Sequence, residues 1–229
     1  FMNQVDSQVS GSAQKNLNVG WLKNFKLFLP PIEEQKKIAD ILSTVDKKIA
    51  FVEENINATE ELKKGLMQKL LTEGIGHTEF KDSELGRIPQ GWELKTLGEL
   101  VFILTDYTAN GSFASLKENV TYFNEPNFAA LVRTTDLKKK EFKPERFTDK
   151  RGYEFLKKSA LYGGEILMAN VGSIGEVYIV PEVDFPMTLA PNMYLIKYND
   201  NLINTYAYYF MNSSIFINQL LSKIASTTL

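Results

Sequence analysis

The longest hydrophobic repeat in this chain lies between Pro30 and Gly74. Apolar residues recur there at intervals of four and three, which is the heptad spacing of a helix that buries one stripe against a partner helix. We call this stripe the seam; its residues are Ile38, Leu42, Val45, Ile49, Val52 and Ile56. The repeat predicts a helix over residues 30–74. Because a lone helix cannot bury its own stripe, it also predicts a partner for the seam.

Residues at both ends of this segment support the predicted helix. Pro30 and Pro31 suit a first helical turn, where backbone N–H groups have no partner within the helix. Acidic residues follow directly, at the end where the helix dipole favours negative charge, and Gly74 suits a C-terminal stop. At about 1.5 Å per residue, the helix would be roughly 60 Å long.

The rest of the chain shows short apolar runs separated by turns, a pattern typical of strands. The runs are LGELVFIL, FAALVRTTDL, EILMANVGSIGEVYIV and NMYLIKY, and VGSIGEV is interpreted as a turn between two strands. A helix is predicted over 201–224 and a short strand at 25–29. The predicted fold class is therefore α/β, as a mixed α+β domain with a long coiled-coil-like connector helix.

Composition restricts the possible chemistry. The chain has no cysteine, which excludes disulfides, zinc ribbons and thiol catalysis. Its only histidine, His77, lies in a polar stretch and is interpreted as a solvated linker residue. We therefore predict no catalytic residue and no metal ligand. A nuclease-like pattern of Asp136, Glu141 and Lys143 is not favoured, because such triplets are common by chance.

Two further absences concern the membrane and the overall charge. No apolar run is long enough to span a bilayer, so we expect a cytoplasmic protein without a membrane partner. The net charge of −2 does not by itself indicate a nucleic-acid partner, and the distribution of charge is more informative than the total.

The charge is unevenly distributed between residues 133 and 158. This basic segment holds ten basic and five acidic residues, a local excess of five positive charges. Basic side chains bind phosphates and release counterions, which favours duplex binding. The predicted phosphate contacts are Lys138, Lys139, Lys140, Lys143, Arg146 and Lys150. A solvated charged surface would give the same pattern, so both interpretations stay open.

Candidates for contacts to base edges are Arg133, Asn110 and Ser112. The last two lie in the loop TDYTANGSFAS at 105–115, which is rich in small hydrogen-bonding side chains. Any turn-rich loop has a similar composition, so this loop alone does not identify a binding site.

The chain begins and ends on similar segments. FMNQVDSQVSGSAQ at 1–14 and FINQLLSKIASTTL at 216–229 share four identities in fourteen aligned positions. The similarity suggests a tandem repeat of which this chain covers one period. Chance similarity between two amphipathic segments is the alternative.

Four stretches, in order, resemble the specificity subunits of type I restriction–modification systems. The first is similar to the start of the family's conserved helix, the second to the entry into a target recognition domain, and the last two to segments within that domain. They are FLPPIEEQKKIADILSTVDKKI at 28–49, LGRIPQGWELKTLGELV at 85–101, LVRTTDL at 131–137 and LYGGEILMANVGSIGEVYIV at 161–180. Glu165 stands where the family usually has Asp.

The resemblance implies a domain plan, because these subunits carry two recognition domains and two conserved helices in tandem. On that plan, residues 1–29 are the remnant of a first recognition domain and 30–74 are the spacer helix that docks methyltransferase subunits. Residues 75–92 are a linker, and 93–229 are a recognition domain with a truncated C-terminal end.

The resemblance also implies a function without catalysis. The subunit would read a half-site of a bipartite double-stranded DNA target and direct the methyltransferase and restriction subunits to it. Those partners would carry S-adenosylmethionine, ATP and magnesium, and this chain would bind no cofactor.

Two further expectations concern partners. With one seam, the chain is expected to pair with itself and to prefer an interrupted palindromic site, as two-fold symmetry requires. The open alternative is a non-enzymatic scaffold whose α/β domain binds a partner other than DNA, and salt-sensitive duplex binding would separate the two.

Overall fold

A computed structural model describes residues 19–226 of the chain, without the side chains of Val19, Trp21, Ala225 and Ser226. The segment at 1–14, and with it the comparison of the two chain ends, lies outside the described residues. The chain divides into two compact units, residues 1–61 and 62–229.

The first unit contains a short helix α1 (Val19–Leu22) and most of the long helix α2 (Ile32–Glu73). The long helix predicted over 30–74 is thereby confirmed. Its first turn is held by Gln35, whose side chain donates to the Pro30 carbonyl at 2.7 Å. The helix ends before Gly74, which has a φ of 67° that favours glycine.

The seam is exposed along its full length in this chain. The exposed fraction ranges from 43% for Ile38 to 59% for Leu42. Apolar side chains that are half exposed on one stripe of a helix lose contact with water only when a second surface covers them. The exposure of the seam side chains is consistent with pairing through the seam, which stays a prediction.

The predicted strand at 25–29 is wrong. Residues 25–30 have no regular secondary structure, and Phe28 is fully exposed. A strand needs a neighbouring strand for its backbone hydrogen bonds, and none of the strands in the described part of the chain pairs with this segment. The alternating apolar pattern alone could not supply that neighbour.

In the second unit, a hairpin follows the end of α2, in the segment predicted as a linker. Strands β1 (Phe80–Ser83) and β2 (Gly86–Pro89) pair antiparallel. The turn between them uses Gly86, which has a φ of 107°. The polar sequence of this segment concealed the strands because the hairpin buries little apolar surface.

Eight further strands form two four-stranded sheets. One sheet has the order β3-β10-β7-β8 and is antiparallel throughout, and the other has the order β5-β4-β9-β6 with β4 and β9 parallel. In chain order the strands are β3 (Val101–Asp106), β4 (Ala129–Val132), β5 (Phe147–Thr148), β6 (Ala160–Leu161), β7 (Ile166–Ala169), β8 (Val177–Ile179), β9 (Met187–Leu189) and β10 (Met193–Tyr198).

Short helices connect these strands. They are α3 (Leu97–Leu100), α4 (Phe113–Asn119), α5 (Thr134–Leu137), α6 (Lys150–Phe155), α7 (Asn204–Met211) and α8 (Ser214–Ser226), with 3-10 turns at Tyr107–Asn110 and Lys157–Ser159. Strand β4 is buried at every position, and its apolar side chains pack with those of β9 in the core. Because β4 is fixed in this way, the residues that follow it start from a rigid position.

The apolar runs predicted as strands contain those strands, although two of the runs also contain a helical turn. LGELVFIL begins with α3, whose first turn is closed by the Glu99 carboxylate accepting from Thr96 N at 2.7 Å. FAALVRTTDL ends with α5 after β4. Local side-chain caps decide these helical turns, and the apolar pattern does not contain them.

The single helix predicted over 201–224 is two helices, α7 and α8. They are separated by Asn212 and Ser213. The buried Ser213 hydroxyl donates to the Phe210 carbonyl at 2.6 Å, and its oxygen accepts from Phe216 N at 3.4 Å. A side chain that satisfies both helix ends makes the break stable.

The last turns of α2 belong to the second unit and pack against its C-terminal helices. Leu71 is buried, and Gln68 Oε1 accepts from the Ser214 hydroxyl at 2.8 Å. The Lys63 ammonium lies 6.0 Å from the centre of the Tyr209 ring. These contacts place the end of the long helix within the second unit.

Among the described residues, no helix is both long and apolar enough to cross a membrane.

Candidate nucleic-acid interface

The basic segment starts where the buried strand β4 ends. Arg133 is the first residue after the strand, and its backbone N–H donates to the Asp136 carboxylate at 3.1 Å. The Arg133 side chain donates to the same carboxylate through Nε at 3.0 Å and Nη2 at 2.7 Å. Asp136 is completely buried. The pair fixes the start of the segment to the core.

Arg133 also contacts a second carboxylate, that of Glu145, at 3.0 Å. Its hydrogen bonds to Asp136 are the main cause that raises the pKa of Arg133 above its ordinary value. The guanidinium of this predicted base-reading residue is therefore occupied by two carboxylates, and it holds the two ends of the loop 133–145 together.

Two of the predicted phosphate contacts are likewise paired within the chain. Lys139 forms an ion pair with Glu145, and Lys138 forms one with Glu176 at 2.7 Å and donates to the Ser173 hydroxyl at 3.0 Å. Hydrogen bonds from these lysines lower the pKa of Glu145 and of Glu176 below its ordinary value. Both carboxylates thus stay ionised at neutral pH and keep Lys138 and Lys139 neutralised.

The other predicted phosphate contacts are exposed cations without an internal carboxylate partner. All four of these side chains are exposed, and none forms an ion pair with another residue of the described range 19–226. They are Lys140, Lys143, Arg146 and Lys150. We call these four residues the free cations. Their charges face no internal carboxylate, whereas Lys138 and Lys139 would have to give up an internal ion pair to bind an outside anion.

The two loop candidates for base contacts have different surroundings. The Asn110 amide is used internally: it donates to the Ser159 hydroxyl at 2.8 Å and accepts from Lys158 N at 3.0 Å. Ser112 is exposed at the start of α4, where its hydroxyl accepts from Ser115 N at 3.2 Å. The structure tests neither as a base contact, and it assigns Asn110 a role in holding the loop.

The loop with these two residues lines a pocket that the sequence did not reveal. The cavity has a volume of about 570 Å³, and we call it the aromatic pocket. It is formed by β3 and α4, by the turn after β7 and by the turn before β10; among its lining residues are Tyr107, Phe113, Lys117, Tyr122, Asn170 and Asn192. These residues come from distant parts of the chain, so no motif announces them.

The aromatic side chains of the pocket differ in exposure. The Phe113 side chain is 82% exposed. The hydroxyls of Tyr107 and Tyr122 lie 2.8 Å apart, and burial together with this hydrogen bond raises the pKa of Tyr107. The Tyr107 phenol is therefore neutral at physiological pH.

The aromatic pocket is connected to the basic segment through one turn. Asn170 and Val171 line the pocket, and Ser173 and Glu176 of the same turn bind Lys138. The loop 105–115 and the basic segment, which the sequence indicated separately, therefore meet at the turn between β7 and β8.

The residues of the nuclease-like pattern do not form a metal site. Asp136 is buried against Arg133, and the described residues include no cluster of three histidines or carboxylates suited to a metal ion. His77 is exposed and packs edge-on against Trp92, with ring centres 6.0 Å apart. Neither feature resembles a catalytic arrangement.

Replacing Asp136 by alanine is expected to destabilise the second unit by about 3 kcal/mol, because a buried ion pair would lose one partner. All ten tyrosines lie between residues 107 and 209, so tyrosine circular dichroism during urea unfolding reports this unit alone. The matched control is Glu145→Gln, whose side chain is 59% exposed, so its effect on the free energy of unfolding should be much smaller. Equal losses in both variants would contradict the structural role of Asp136.

Comparison with known proteins identifies related chains. Residues 1–61 match the family model of the type I restriction modification DNA specificity domain. The chain is 30% identical over 232 residues to the type I restriction enzyme MjaVIII specificity subunit of Methanocaldococcus jannaschii, a match that covers 96% of this chain and 51% of that protein. It is 46% identical over 86 residues to the putative type I restriction enzyme MjaX specificity subunit of the same organism. That match covers 37% of this chain and 20% of the MjaX subunit.

A solved structure supports the fold. The chain aligns with a chain from a study of complex assembly and conformational transition in the type I R-M system, with a TM-score of 0.51 and 17% identity. The alignment covers 98% of this chain and 51% of the other. The predicted fold class, a mixed α/β domain with a long helix, is confirmed.

These matches also fix the class of protein. The chain spans about half the length of the MjaVIII subunit, the first of the curated relatives named above. Both curated relatives are specificity subunits, and the prediction of a specificity subunit rather than an enzyme is confirmed. The predicted resemblance to the specificity subunits of type I restriction–modification systems is therefore confirmed.

Proposed function

We propose that this chain reads one half-site of a bipartite double-stranded DNA target and directs methyltransferase and restriction subunits to it. The observation that carries this proposal is the set of free cations, Lys140, Lys143, Arg146 and Lys150, on a chain of the specificity family. Exposed cations without internal partners bind phosphates at no cost in broken ion pairs.

The division of labour follows from the chemistry of the described residues. These residues supply cations, hydroxyls and aromatic rings, which are groups that bind and orient nucleic acid. S-adenosylmethionine, ATP and magnesium are assigned to the methyltransferase and restriction subunits. The chain itself contributes binding and position.

The seam is assigned to pairing. Six half-exposed apolar side chains in heptad register match the surface of a second helix of the same kind, and in this chain the second helix is supplied by another copy. A two-fold pair of chains would present two identical half-site readers, so the dimer would prefer an inverted repeat with a fixed spacer.

Selection from a random duplex library tests the proposed function. The whole chain, with and without the methyltransferase subunit, is expected to enrich one short motif and to bind it more weakly as salt rises. Two inverted copies at a fixed spacing would be enriched if the seam pairs the chains.

The opposite result is equally informative. If the methyltransferase subunit binds but no motif is enriched, the DNA-reading proposal is wrong and the scaffold alternative is supported. A motif that is enriched with no dependence on salt would exclude the free cations as phosphate contacts.

A further inference from the structure

We propose that the aromatic pocket receives one nucleobase turned out of the DNA stack, an inference that rests on the proposed DNA-reading function. The pocket has a volume of about 570 Å³, within the range of about 300–1,000 Å³ that small-ligand sites occupy. It is therefore large enough for a planar heterocycle and its sugar, and far too small for a duplex.

The rings of the pocket suit a base. Phe113 is 82% exposed at the start of α4, so its face is available for stacking. Tyr122 is 48% exposed, and its hydroxyl is fixed by that of Tyr107 at 2.8 Å. Aromatic side chains bind unstacked bases through their faces, whatever the base. The pocket thus offers one ring that is free to adjust and one that is held in place.

The polar groups of the pocket distinguish a base from an apolar side chain. Asn170 Oδ1 is buried and has no hydrogen-bond partner within the described part of the chain. Because it makes no internal bond, turning the amide toward a ligand breaks none, and a base edge supplies the N–H donor that it lacks. An apolar side chain from a protein partner would leave this oxygen unsatisfied.

The surroundings of Asn170 are fixed by the backbone. Its N–H donates to the Asn192 carbonyl at 3.1 Å, and Asn192 adopts the left-handed conformation with a φ of 74°. Asparagine tolerates this conformation better than most residues. Two asparagines therefore lie side by side at the pocket, while Lys117, which also lines it, adds a cation for the phosphate that flanks an extruded base.

The experiment measures where a base leaves the stack. The probe is the duplex half-site obtained by selection, in a series in which the base opposite each position is replaced in turn by an abasic site. Removing the partner of the extruded base abolishes the cost of unpairing, so the whole chain should bind that one duplex about tenfold or more tightly. At every other position, binding should weaken or stay unchanged.

Two variants connect this signal to the pocket. Phe113→Ala and Tyr122→Ala change exposed rings, so both should fold, and each should weaken binding of the intact half-site by about 5- to 100-fold and remove the tightening at the abasic position. The matched control is Phe102→Ala on β3: Phe102 is 75% exposed and does not line the pocket. It should keep both the affinity and the tightening.

Three outcomes overturn the inference. The first is that the chain binds its half-site but no position tightens, and the second is that both pocket variants keep the tightening. The third is that the pocket variants lose methyltransferase binding and keep the DNA signal, which would make a protein side chain the occupant. A chain that enriches no duplex in the selection fails at the earlier step, so that result identifies the DNA-reading proposal as the one that is wrong.

Discussion

We expect the salt dependence of DNA binding to fall more when the four free cations are replaced together by glutamine than when any other exposed side chains are replaced. The free cations are Lys140, Lys143, Arg146 and Lys150. Each phosphate contact contributes about 0.9 to the slope of log K against log salt, so the slope should fall by about 3.6. Relative to about 1 M salt, the same four contacts are therefore worth about 3.6 orders of magnitude in affinity at about 0.1 M salt. The measurement is a titration of the selected half-site at several salt concentrations.

A control variant separates local contacts from total charge. Four other lysines form ion pairs with carboxylates of the chain: Lys95, Lys138, Lys139 and Lys157. Replacing these four by glutamine changes the net charge by the same amount as replacing the free cations. Because these lysines are already neutralised, the slope should fall by less than about half as much. Equal decreases in the two variants would show that the overall field of the protein, and not the free cations, supports binding.

Protein stability is the second check on this comparison. All eight side chains lie at or near the surface, where substitutions usually change the free energy of unfolding by less than about 0.5 kcal/mol. Tyrosine circular dichroism of each variant should therefore give the same urea midpoint as the unchanged chain. A variant that unfolds early would be excluded from the comparison of slopes.

Introducing one charge into the seam is expected to dissociate the self-paired chain. Ile49 is 51% exposed in the single chain and lies near the centre of the seam. Burying an isoleucine is worth about 1.5–3 kcal/mol, and a two-fold pair contains the residue twice. Ile49→Glu should therefore raise the dissociation constant by about two to four orders of magnitude, since 1.4 kcal/mol corresponds to tenfold.

The control for this variant is Phe51→Glu. Phe51 is 64% exposed on the same helix, but its position, two residues after Ile49, places it on the opposite side from the seam. Sedimentation over a range of concentrations should show dimers for the unchanged chain and for Phe51→Glu, and monomers for Ile49→Glu. An unchanged chain that sediments as a monomer at high micromolar concentration would refute self-pairing.

The long helix could be predicted from the chain itself, because its determinants are local. A heptad spacing, two prolines at the start and a glycine at the end act within a few turns, and they placed the helix within two residues of its bounds. The strands at 101–106, 166–169 and 193–198 were predictable for the same reason, since each consists mostly of apolar residues. The hairpin turn at VGSIGEV needs only its glycines, and Gly172 and Gly175 both have positive φ.

Elements that depend on a distant partner were not predictable. The segment 25–29 alternates like a strand, but a strand forms only beside another strand, and none of those in the described residues pairs with it. The hairpin at 80–89 is the converse case, in which a polar sequence pairs with itself. The break between α7 and α8 depends on one buried serine, which a helical periodicity does not reveal.

The same distinction applies to the candidate interface. The basic segment was visible in the sequence as an excess of lysine and arginine, because charge can be counted residue by residue. Which of those charges is available depends on carboxylates brought close by folding: Glu176 neutralises Lys138, and Glu145 neutralises Lys139. The aromatic pocket depends still more on folding, because Phe113 and Asn170 meet only where two sheets and their connecting turns come together.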